Sequence, residues 1–66
     1  MIMILSKKQF NDYLDNKVSF KYSDMFITYD NGVYVACDDK TGNKWVEEFK
    51  SLDNAIKWLK EEVEKC

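Results

Sequence analysis

Two cysteines, twelve carboxylates and ten lysines are the main side chains in these 66 residues with which chemistry could be done; histidine, arginine and proline do not occur. Cys37 would act as a nucleophile only as thiolate, beside a base that draws off its proton, and there is no histidine to supply one. It reads instead as a small buried hydrophobe. Six of the carboxylates fall in adjacent pairs, Asp38-Asp39, Glu47-Glu48 and Glu61-Glu62. Strand alternation or helical rotation points the members of each pair apart, which suits solvated charge better than acid–base work. Asp30-Asn31-Gly32 lacks the rest of a calcium-binding loop. Ser51-Leu52-Asp53 is a helix cap, and Met1, Met3 and Met25 belong to the core or the chain start. Lys7-Lys8 reads as a solvated helix face. Without arginine, forked capture of phosphate or carboxylate is lost as well. The expectation is a protein with no catalytic residues, no metal site and no cofactor.

The elements that carry these residues are more legible. Residues 1–5 are apolar and read as a short N-terminal strand. Ser6-Lys7-Lys8-Gln9 matches a capping box, and the helix after it sets Phe10, Tyr13 and Leu14 on one face before ending near Asp15-Asn16. Met25–Tyr29 and Val33–Asp38 flank Asn31-Gly32, the preferred pair for a two-residue hairpin turn. Lys44–Phe49 is a third strand, and Phe20-Lys21-Tyr22 a further short edge strand. Ser51 caps a helix predicted over 51–65, whose apolar stripe is Leu52, Ala55, Ile56, Leu59 and Val63. The whole reads as a single α+β domain, an antiparallel sheet of three to four strands packed against the C-terminal helix. Its ten aromatic rings (four tyrosines, four phenylalanines and two tryptophans) compensate for the small size.

The hairpin divides its side chains between two faces. Phe26, Thr28, Val33, Val35 and Cys37 share one, joined by Trp45 and Phe49 if residues 40–42 form a three-residue turn with a bulge. That face is assigned to the last helix. The other carries Met25, Ile27, Tyr29, Tyr34, Ala36 and Val46. Either the first helix covers it, or part of it stays open and binds a protein, since contiguous exposed apolar surface marks an interface. Met25, Ile27, Tyr29, Tyr34 and Val46, with Trp58 on the flank of the last helix, are therefore the candidate partner-binding residues.

Two cysteines are too few for a disulfide framework and point to free thiols in a reducing cytosol. The opening apolar run is too short for a signal peptide and precedes its lysines, and no run is long enough to span a membrane. The protein is expected in the cytoplasm, with no membrane partner. A net charge of −2 without arginine is a poor footprint for nucleic acid, although Tyr29 and Tyr34 flanked by Lys21 and Lys44 would offer a stacking platform for single strands.

A small acidic chain with a hairpin, a third strand and a closing helix resembles the inhibitors encoded by phages and mobile elements, the anti-CRISPR proteins among them. The likeness rests on Phe26–Leu59, particularly Tyr29-Asp30-Asn31-Gly32-Val33-Tyr34 and residues 49–59. It implies a module that binds and blocks a larger host enzyme, and it carries over no site residues. A single-stranded nucleic-acid binder and a structural or dimer-forming subunit are the alternative readings.

Overall fold

The computed structural model describes residues 2–21, 23–40 and 42–60. Tyr22 of the expected edge strand, Val63 of the apolar stripe, the Glu61-Glu62 pair and Cys66 lie outside them. Six elements follow one another: β1 (Ile2–Ile4), α1 (Lys7–Leu14), β2 (Met25–Asp30), β3 (Val33–Asp38), β4 (Trp45–Phe49) and α2 (Leu52–Leu59). They form an α+β fold with one four-stranded sheet in the order β1-β2-β3-β4. β2, β3 and β4 make an antiparallel meander, while β1 runs parallel to β2. The sheet is thus mixed, and β1-α1-β2 is a βαβ unit, because adjacent parallel strands need a crossover. Among the described residues, no helix is long and apolar enough to cross a membrane.

Local signals set the element ends. The Ser6 hydroxyl accepts from the Gln9 N–H at 3.1 Å and the Gln9 side chain accepts from the Ser6 N–H at 3.0 Å, closing the capping box. At the other end Asn16 takes φ 61°, with Asn16 N–H bonded to Tyr13 O and Lys17 N–H to Asp12 O. This is a Schellman stop, which needs a residue tolerant of left-handed backbone. Asn31 and Gly32 have φ 50° and 83°, the two positive values of a type I′ turn. The turn fixes the register Tyr29↔Tyr34, Thr28↔Val35, Ile27↔Ala36 and Phe26↔Cys37. In α2 the Ser51 hydroxyl accepts from the Asn54 N–H at 3.0 Å. The Lys40 ammonium donates to the Leu59 carbonyl at 2.6 Å, satisfying a final carbonyl with positive charge.

The helices lie on opposite faces of the sheet. α1 packs Phe10 and Tyr13 against Leu5, Phe26 and Cys37, and α2 packs Ala55, Trp58 and Leu59 against Ile27 and Ala36. This reverses the expected assignment, in which the Phe26 face meets the last helix. A hairpin apolar on both sides does not encode which helix covers which side. The crossover helix claims the Phe26 face, and α2 takes the other.

The β3–β4 register also corrects the expected three-residue turn. Asp38 pairs with Trp45 and Cys37 with Val46, so the β3–β4 ladder closes at Asp38 and Trp45 rather than at a three-residue turn. Asp39 and Lys44 leave the ladder because both are tied elsewhere. Asp39 accepts from the Tyr13 hydroxyl and its N–H donates to Asp24 O at 2.8 Å, while Lys44 donates to Tyr13 O at 2.7 Å. As a result Trp45 and Phe49 lie on the α2 face, and Val46 on the α1 face.

Among the described residues, two buried side-chain oxygens have no hydrogen-bond partner, Thr28 Oγ1 and Asp39 Oδ1. The Asp39 atom belongs to a carboxylate already engaged through Oδ2, but Thr28 is 3% exposed and its hydroxyl has no partner among the described residues. Thr28→Val removes that buried donor while keeping the shape, and should stabilise the fold by about 1 kcal/mol. Urea unfolding measures this; a loss of stability would show that the hydroxyl is satisfied.

Candidate interaction surface

Each helix covers only part of its face, and the largest exposed apolar side chains lie on the remainder. Ile4 is 67% exposed and Tyr29 58%. The registers Ile4↔Ile27 and Ile27↔Ala36 put both on the α2 face, on the β1–β2 side of the helix. Tyr29 sits opposite Tyr34, next to the turn, in the kind of cross-strand pair where side chains approach most closely. Their ring centroids are 4.9 Å apart at an interplanar angle of 58°. Tyr34 is half-buried and also packs on the α2 cluster, so it anchors the exposed ring beside it.

Helix geometry completes the patch. At about 100° per residue, Ile56 and Trp58 point to opposite flanks of α2. Trp58 lies toward β4, 5.6 Å from the Phe49 ring centroid and 6.4 Å from that of Trp45. Ile56 and Leu52 therefore face the β1–β2 side. Ile4, Tyr29, Tyr34, Leu52 and Ile56 form an apolar strip between α2 and the sheet edge. Its nearest charge on β2, Asp30, is paired with Lys7 at 3.2 Å.

The structure does not bring the six expected partner-binding residues onto one surface. Tyr29 and Tyr34 form the centre of the strip, and Met25 is half-buried at the foot of the same face. Ile27 is 1% exposed and Trp58 6%, so both are core and are withdrawn from the surface. Val46 is exposed on the opposite face, across from Cys37. Ile4, Leu52 and Ile56 lie on this strip without being among the six expected residues. The helical period alone would have put Leu52 and Ile56 on the flank away from Trp58; Ile4 gave no signal, because the partner of β1 is distant in sequence.

The other cluster of polar groups is a fastening. The Tyr13 hydroxyl donates to Asp39, and the Lys44 ammonium lies 4.3 Å above the Tyr13 ring and 2.5 Å from Asn16 Oδ1. Burial, and then the Asp39 hydrogen bond, hold the Tyr13 phenol above its usual range, so it stays protonated. Burial likewise pushes the Cys37 thiol up to about 11, leaving very little thiolate at neutral pH. Together these groups clamp the end of α1 to the β3–β4 connection. Among the described residues, no group of three or more histidine, cysteine or carboxylate side chains is arranged to hold a metal ion. No known protein family, curated protein or solved structure matches the chain.

Proposed function

We propose that the chain is a non-catalytic protein–protein interaction module whose docking surface is the apolar strip around Tyr29. The observation that carries this reading is a tyrosine held rigidly by a cross-strand neighbour yet more than half exposed, beside an isoleucine exposed further still. Tyrosine concentrates binding energy at interfaces because it offers a large contact area with little entropy to lose. Among the groups that could do chemistry, the described thiol is buried and the described phenol–carboxylate pair is locked internally. Action by occupying another protein's surface fits both facts. It fits as well the resemblance to phage and mobile-element inhibitors, which work in the host cytoplasm by blocking a larger enzyme. A single-strand platform is less well supported, since Lys44, one of the two lysines expected to flank it, is engaged by Tyr13 O and Asn16 Oδ1.

Tyr29→Ala should weaken the complex by roughly 1–2 kcal/mol or more with the fold intact. Val46→Ser, on the opposite face, should leave it unchanged. Comparative affinity capture from the source cell, followed by titration of the captured protein, reads both. Equal loss with the two variants, or with neither, would place the docking surface elsewhere. Binding to a single-stranded oligonucleotide that falls steeply with salt would favour the platform instead.

A further inference from the structure

The flank of α2 away from the Tyr29 strip carries a different set of side chains. Trp45, Glu47 and Phe49 alternate along β4 and share the α2 face, because Ala36 pairs with Glu47 and Tyr34 with Phe49. Trp58 reaches them from the helix, its ring centroid 5.6 Å from that of Phe49 and 6.4 Å from that of Trp45. One carboxylate therefore stands between two aromatic residues of its own strand, beside a third ring from α2. An aromatic face is the negative part of its ring, so rings gathered around a carboxylate favour a cation.

Trp45 is the accessible wall. It meets Trp58 at an interplanar angle of 77°, an edge contact that leaves at least one Trp45 face uncovered by Trp58. Trp45 is 47% exposed, whereas Trp58 is 6% exposed and fixed in the core behind it. The Trp45 Nε1–H donates to Glu47 Oε2 at 3.4 Å, which keeps the carboxylate beside the ring. That donation also polarises the indole, making its face more negative.

The charge here is left unbalanced by the chain. The ion pairs between described residues use Asp30, Asp12 and Asp53, and Glu47 is in none of them. The lysines nearest Trp45 in sequence are committed elsewhere. Lys44 donates to Tyr13 O and Asn16 Oδ1, and Lys40 to Leu59 O.

From this arrangement we infer that the β4 flank of α2 binds a small quaternary ammonium, a trimethylammonium group of the choline kind, on the Trp45 face beside Glu47. This goes beyond the docking reading, and either can fail without the other. The chemistry of the site selects among cations. Forked capture of a guanidinium uses both oxygens of a carboxylate, and one oxygen of Glu47 already accepts from the indole. A primary ammonium is strongly hydrated and gives up its water reluctantly on an exposed surface. A quaternary ammonium has no N–H to satisfy. Its methyl groups cover the exposed ring while its charge meets the ring face and the carboxylate.

The two tryptophans of the chain, Trp45 and Trp58, are both at this site, so their indole N–H resonances report on it directly. Choline chloride is titrated into the isotope-labelled full chain at constant ionic strength. The Trp45 indole should shift saturably, with a dissociation constant in the millimolar range. The neutral analogue with carbon in place of the nitrogen should produce no saturable shift. Glu47→Gln should raise the dissociation constant at least threefold. Trp45→Leu, followed at the Trp58 indole, should raise it at least tenfold, with circular dichroism unchanged. Tyr29→Ala should leave it as in wild type, which separates this site from the docking strip. A shift that never saturates overturns the inference, as does a neutral analogue that matches choline. So does methylguanidinium binding more tightly than choline, or a Glu47→Gln variant that binds as wild type does.

Discussion

Phe26→Ala is expected to leave the protein largely unfolded at 25 °C. Phe26 has no exposed surface, and its ring centroid lies 4.4 Å from that of Tyr13 and 5.6 Å from that of Phe20. Truncating a buried phenylalanine costs about 3–5 kcal/mol, as the lost transfer energy and the cavity add. A domain of this size rarely has more than about 3–5 kcal/mol in total. Leu59→Ala, also at zero exposure but on the α2 face, should cost about 2–5 kcal/mol. Urea unfolding followed by circular dichroism compares the two. A cooperative transition for Phe26→Ala within about 1 kcal/mol of wild type would show that the α1 core is not what holds the fold. A loss below about 0.5 kcal/mol for Leu59→Ala would say the same of the α2 core.

Stability should fall steeply above pH 9. Burial, with Asp39 as the second cause, raises the Cys37 thiol from 9.0 to about 11 in the folded chain, while Lys44 opposes the shift and Asp38 adds to it. A group whose folded pKa is raised contributes stability that is complete below its unfolded value and disappears as pH rises through its folded value. For Cys37 that window runs from about 9 to about 11, and two pKa units correspond to roughly 3 kcal/mol. The Tyr13 phenol, raised in the same direction by burial and by Asp39, carries the decline to higher pH. Thermal unfolding should therefore show a melting temperature falling from pH 9 upward, with a shallower fall in Cys37→Ala. A flat profile to pH 11, or an unchanged slope in the variant, would mean that the thiol is solvated.

What the sequence discloses and what it hides divide along a physical line. Asn31-Gly32 permits positive φ at two successive residues, so the turn and the whole β2–β3 register follow from a dipeptide and an alternation. Ser6 with Gln9, and Ser51 with Asn54 after it, mark the helix starts in the same local way. The β3–β4 register depends on Asp39 and Lys44 being held by Tyr13 and Asn16, residues distant in sequence. The direction of β1, and which helix covers which face, rest on equally distant contacts. The fate of the candidate surface follows from the same division. Tyr29 and Tyr34 are fixed by the turn and stand where the alternation puts them. Trp58 is buried because the β3–β4 register brings Phe49 and Trp45 beneath it. Had they pointed the other way, it would have been left at the rim of the core.

Chemical-shift mapping of the isotope-labelled protein, titrated with the captured partner, tests the docking surface most directly. The perturbed resonances should cluster on Ile4, Tyr29, Tyr34, Leu52 and Ile56 and leave Val46, Glu47 and Glu48 in place. A perturbed set centred on Val46 and Glu48, with Tyr29 unmoved, would contradict the account.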